Sequence, residues 1–158
     1  MFHMKRCSWV PKNNTLYCDY HDNEWGKLVK DDNKLFELLC LESYQSGLSW
    51  WTVLKKREAF KSVFYHYQID QVALFTDEEM TNALKNPDII RHRLKLETTV
   101  NNANMILKIQ SEFGSFFDYI WHFVGKKVIV HSVNDSQQVL SQNLLSQSLS
   151  KDLKKKRF

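Results

Sequence analysis

Only four glycines and two prolines interrupt 158 residues. With so few points at which the backbone can turn freely, most of the chain must lie inside regular elements, and no stretch keeps the apolar alternation of a strand. Asp31, Asp32 and Asn33 precede Leu35, Phe36, Leu38 and Leu39, whose three- and four-residue spacing predicts an Asx-capped amphipathic helix. Gly47 and Ser49 interrupt and restart it, and Trp50, Val53, Leu54 and Phe60 define the apolar face of a second helix. Asp70 before Val72, Ala73 and Leu74 predicts a capped single turn, and Thr76-Asp77-Glu78-Glu79 has the capping-box form. That helix should stop before Pro87, and a long one should run to about Phe113, with Gly114 as its stop and Ser115 capping the next. Lys127 to His131 is the one short extended candidate and has nothing to pair with. The expectation is an all-α, single-domain helical bundle.

Composition narrows the function classes without choosing among them. The hydrophobic fraction of 43% is ample for a core, and a formal charge of +4 permits a nucleic-acid partner without requiring one. Three cysteines, no signal-peptide pattern and no apolar run long enough to span a bilayer predict a cytoplasmic protein with no membrane association. The basic tail Lys151-x-x-Lys154-Lys155-Lys156-Arg157 reads as a solvated helix end more readily than as a phosphate contact.

Chemistry concentrates between Tyr17 and Trp50. Tyr17, Tyr20, Trp25 and Trp50 place large rings close to Glu24 and Glu42, a composition suited to a pocket for a flat polar ring: aromatics supply stacking faces, and a carboxylate accepts ring N–H donors or faces a cationic ring. Taken singly, each ring also reads as core and Glu42 as a surface charge at a helix end.

The order Tyr17-x-x-Tyr20-His21-Asp22-Asn23-Glu24-Trp25-Gly26, then Leu41-Glu42-x-x-Gln45-x-Gly47-Leu48-Ser49-Trp50, resembles the DNA-3-methyladenine glycosylase I family of the helix-hairpin-helix superfamily. Similar segments continue at Trp50 to Glu58, at Ile89-Ile90-Arg91-His92-Arg93-x-Lys95, at Phe117 to Val124 and at Leu149 to Lys155, nearly the whole chain. The resemblance implies hydrolysis of the N-glycosidic bond of 3-methyladenine in alkylated double-stranded DNA by a monomer. It implies Glu42 as the catalytic and base-recognising carboxylate, and Trp9, Tyr17, Tyr20 and Trp50 as the pocket walls. It places Gln45, Gly47 and Leu48 on a loop that enters the duplex, with Leu48 as the wedge, and Arg91 and Arg93 on phosphates beside His92 and Lys95.

The resemblance also implies a structural zinc ion, for which Cys7 and His21 match two of four ligands. The other two lie in a family segment without counterpart here, so the expectation is a C-terminally truncated domain over residues 1–158 in which zinc is weak or absent. His3 and Cys18 have the right types to substitute, but neither position carries a ligand in the family, and a lone Cys is more often a small buried hydrophobe. The family's hairpin glycine before Ile-Ile-Arg is Asp88 here, which sets an ordinary inter-helix turn against a phosphate-binding one. His66, His122 and His131 read as structural. Two alternatives stay open: a remnant that binds a purine or damaged DNA without turnover, and a partner module resting only on basic charge.

Overall fold

The computed structural model describes residues 6–133 and 138–158, and among them the regular elements are all helical. They are α1 (Thr15–Asn23), α2 (Asp32–Gln45), α3 (Trp50–Val63), α4 (Ile69–Val72), α5 (Asp77–Ala83), α6 (Arg93–Phe113), α7 (Phe116–Phe123) and α8 (Leu144–Lys155), with a 3-10 turn at Tyr65–Tyr67. Residues 127–133 form no strand, so the extended candidate there is not a sheet element. No helix of the described residues is long and apolar enough to cross a membrane.

Local capping explains most boundaries. The side chains of Asp31, Ser49, Thr76 and Ser115 accept from the backbone N–H groups of Lys34, Thr52, Glu79 and Asp118, so α2, α3, α5 and α7 begin where the sequence predicts. Asp70 is not the cap of α4. It lies inside the helix, and the N–H of Ile69 is met instead by Asn33 Oδ1 from α2 at 3.0 Å. Asp32 also reaches across the fold: its carboxylate accepts from the Phe116 and Phe117 amides at 2.8 and 2.9 Å and from Gln110 Nε2 at 2.7 Å. One residue in the first turn of α2 therefore anchors the start of α7.

The long α6 packs against α2, α4 and α7, and the core between them is rich in rings, with Phe36, Tyr44, Phe60, Phe64, Tyr67, Phe116 and Tyr119 all buried. Tyr44 stacks on Phe60 at 4.2 Å and hydrogen-bonds Thr99 Oγ1 at 2.8 Å, which meets the polar end of a buried ring. The basic tail is only partly solvated. Lys156 pairs with Glu112 at 3.0 Å and lies over the rings of Phe113 and Tyr119, so this cation is docked on α6 and α7.

Candidate active site

α1 is the helix that sequence reading missed, and it carries one wall of the pocket. Asn14 Oδ1 accepts from the Tyr17 amide and starts the helix, which then presents Tyr17 and Tyr20 one turn apart. The facing wall comes from the last turn of α2, with Glu42 and Gln45, and from Trp50 at the first position of α3. Trp9 and Trp25 close the side, giving an open pocket of about 290 Å³. The structure thus brings together Glu42, Trp9, Tyr17, Tyr20 and Trp50, adds Trp25, and places Gln45 on the same lining rather than only on the outer loop.

Ring geometry shows how the walls stand. Tyr20 meets Trp50 at 5.2 Å across the pocket floor, while Trp9 contacts Tyr17 at 5.8 Å and Trp25 at 5.3 Å. Trp51, unassigned from sequence, stacks on Tyr17 at 6.3 Å with an 18° interplanar angle, and Lys55 Nζ sits 5.4 Å from the Trp51 ring centre. The buried indole N–H of Trp50 has no hydrogen-bond partner among the described residues. Such a donor costs roughly 1–3 kcal/mol, a departure from stability of the kind found at functional sites.

Glu42 has no hydrogen-bond or ion-pair partner among the described residues. The neighbouring rings nevertheless withdraw enough water from its carboxylate to raise its pKa above the ordinary glutamate value. Its charge is felt opposite: desolvation first, and the Glu42 carboxylate second, push the Tyr20 phenol up to about 12.

The other acids near the pocket are committed. Arg57 of α3 donates to both oxygens of Glu24 at 2.7 Å and to Glu37 Oε1 at 2.6 Å, while Lys34 reaches Glu37 and Glu24 at 2.9 and 3.1 Å. Burial pulls Glu24 upward, but hydrogen bonds from Arg57 and Lys34 outweigh it and hold its carboxyl at about 2. Arg57 and Glu37 are 7% and 4% exposed, so this is a buried charge cluster joining the end of α1 to α2 and α3. Nothing local in the sequence marks it.

The two matched zinc ligands lie side by side, yet their contact is not a metal-binding one. The Cys7 amide donates to His21 Nε2 at 3.4 Å, His21 Nδ1 lies 2.9 Å from Asp22, and Arg6 clasps Asp22 with a 2.6 Å ion pair. Hydrogen bonds from Arg6 first and His21 second hold Asp22 down at about 2. His21 also stacks on Trp25 at 5.4 Å, so it supports the pocket side. The Cys18 thiol faces the carbonyls of Pro11 and Lys12 at 3.6 and 3.9 Å, which occupies the proposed substitute, and His3 lies outside the described residues. No group of three or more His, Cys, Asp or Glu side chains among the described residues is placed to hold a metal ion. The donors among the described residues do not make up a four-ligand zinc site.

At the rim, Gly47 has φ +77°, which lets the chain turn so that the Leu48 amide reaches Gln45 O at 2.7 Å, and leaves Leu48 40% exposed. Arg91 and Arg93 are exposed at the α5–α6 hairpin, Arg93 in an ion pair with Glu97 at 3.2 Å. Lys95 is not free to reach phosphate as the sequence suggests, because its ammonium is tied to backbone carbonyls of Tyr44 and Ser46. In the hairpin itself, Asn86 Oδ1 accepts from the Asp88 amide at 2.9 Å, so a side chain stabilises the turn where the family has glycine.

A helical fold that opens an aromatic pocket around one unpaired carboxylate, beside an exposed hairpin, is that of the helix-hairpin-helix DNA glycosylases. Within that class the chain belongs to the methyladenine glycosylase family, whose model matches residues 9–158. DNA-3-methyladenine glycosylase of Haemophilus influenzae is 44% identical over 153 residues, covering 97% of this chain and 82% of the relative. DNA-3-methyladenine glycosylase 1 of Escherichia coli is 39% identical over 155 residues, with 98% and 82% covered. A tyrosine-to-phenylalanine variant of 3-methyladenine DNA glycosylase I, solved in complex with 3-methyladenine, superposes with a TM-score of 0.93 at 37% identity, covering 98% of this chain and 83% of that one.

Proposed function

We propose that this chain hydrolyses the N-glycosidic bond of 3-methyladenine in alkylated double-stranded DNA, as a monomer in the cytoplasm. The observation that carries this reading is Glu42: a carboxylate without a partner among the described residues, in a pocket walled by rings, while the neighbouring Asp22, Glu24 and Glu37 are ion-paired. N3-methylation gives adenine a positive charge, so a stacking pocket with one free anion favours it over neutral adenine by cation–π and Coulomb attraction. Gln45, Gly47 and Leu48 form the turn that enters the duplex as the base leaves the stack, and Arg91 and Arg93 face phosphates.

Bond breaking then needs little assistance. The electron pair of the C1′–N9 bond passes to the purine and cancels its charge, while water adds to C1′ and releases a proton, leaving an abasic sugar and neutral 3-methyladenine. Glu42 accepts from the amine-bearing edge of the base and stabilises the charge distribution along that path. The donors among the described residues do not fit a four-ligand zinc site, so zinc has no role in this reading.

The test is release of free 3-methyladenine from methylated duplex DNA under single-turnover conditions, comparing the parent chain with Glu42→Gln. Release by the parent and loss of about 100-fold or more in the variant supports the reading, in line with removal of one preorganised electrostatic group. A folded parent that binds the base without releasing it from DNA would instead establish a non-catalytic purine-binding protein.

A further inference from the structure

Two lysines cross between the α2–α3 turn and the α5–α6 hairpin in opposite directions. Lys56, in the second turn of α3, donates to the carbonyls of Pro87 and Asp88 at 3.1 Å each. Lys95, in the first turn of α6, donates to the carbonyls of Tyr44 and Ser46 at 2.6 Å each. Each helix thus supplies a cation to the loop that precedes the other helix.

The receiving groups are ones that short turns leave unmet. Tyr44 and Ser46 stand at the carboxyl end of α2, where helix carbonyls lack partners and the dipole favours a cation. Pro87 contributes no amide to any turn, and its carbonyl, with that of Asp88, is what the hairpin tip offers to Lys56. Neither ammonium has a carboxylate partner among the described residues, in contrast to Lys34, Lys61 and Lys156. Anchoring through carbonyls fixes the position of each lysine and leaves its full charge at the rim.

We propose that Lys56 and Lys95 are positioning residues that form a reciprocal brace, locking the turn bearing Leu48 and the hairpin bearing Arg91 into one rigid DNA-facing rim. This rests on the DNA-facing reading of that rim given above. The base pocket is walled by other side chains, those of Trp9, Tyr17, Tyr20, Trp25, Glu42 and Trp50, and Gln45 is its one lining residue on the braced turn. The brace therefore governs how DNA is presented and leaves affinity for the isolated base alone.

Lys56→Met and Lys95→Met keep the aliphatic stems and remove the ammonium. For each, single-turnover release from methylated duplex DNA is compared with affinity for free 3-methyladenine. The expected result is release slowed by about tenfold or more, as for a displaced reacting group, with unchanged free-base affinity. Parallel loss of both would show a general structural role and overturn the proposal, as would unchanged release. Leu48→Ala and Arg91→Ala separate the proposal from the reading beneath it. If they slow release and the lysine variants do not, the brace alone falls; if they leave release intact, the DNA-facing reading falls and the brace with it. Should a methionine variant fail to fold, the parent chain decides: slowly exchanging ammonium NMR signals from Lys56 and Lys95 are expected, and rapidly averaged ones overturn the brace.

Discussion

Arg57 grips Glu24 through both terminal nitrogens, each 2.7 Å from a carboxylate oxygen, across 33 residues of sequence. Glu24 caps the end of α1, and Arg57 lies two turns after Trp50 on α3, so this fork sets the separation of two pocket walls. Its bidentate geometry is specific to arginine.

Arg57→Met is expected to destabilise the chain by about 3–5 kcal/mol, because it leaves Glu37 buried with its best partner removed. The sign with pH follows from Glu24, held at about 2 in the folded chain against an ordinary 4.5. Its contribution is fully present above pH 4.5 and is lost as pH falls toward 2. Thermal melts of parent and variant should therefore differ most at neutral pH and converge in acid.

Glu42 has the opposite sign. Burial raises its carboxyl, so its charge opposes folding at pH values above its folded-state pKa, and the opposition is relieved as pH falls through that value. Glu42→Gln should melt higher than the parent at pH 7 and lose that advantage in acid. The rate of base release by the parent should fall on the acid side with a midpoint above the ordinary glutamate value. A variant that is both more stable and less active would show a carboxylate retained for chemistry rather than for the fold.

Asp32 joins α2 to the start of α7 through two hydrogen bonds and to Gln110 of α6 through a third. Asp32→Ala should cost about 2–3 kcal/mol in urea unfolding, since it removes a charged acceptor from two orphan amides and from Gln110. Asn should recover part of this.

Around His21, the contact with Cys7 runs through a backbone amide, not through the thiol. Cys7→Ser should leave the melting temperature of this chain unchanged, His21→Ala should lower it, and a chelator should have no effect on either. A zinc-dependent fold would behave otherwise: both variants and the chelator would lower the melt together.

The caps at Ser49, Thr76 and Ser115 were legible because a cap is a local device, satisfied within three residues. The pocket was legible through the order of its rings and Glu42, although α1 was not, since Asp, Asn and Gly around Tyr17 to Gly26 resemble loop composition. Long-range partners were not legible. Asp32 serves amides 84 and 85 residues away, Asn33 replaces Asp70 as the provider for α4, and Lys95 turns to carbonyls 49 and 51 residues back. Each of those residues is an ordinary polar side chain on a helix, and only packing decides what it meets.

Four of the five tryptophans belong to the pocket or to the ring stacked on its wall, and the fifth, Trp121, lies on Phe117 at 5.2 Å. The ultraviolet emission of the whole protein is therefore, in large part, emission from its site. A flat cationic ring sliding among those indoles would exchange energy and charge with them directly, so the molecule carries its own optical gauge of occupancy, with no label attached.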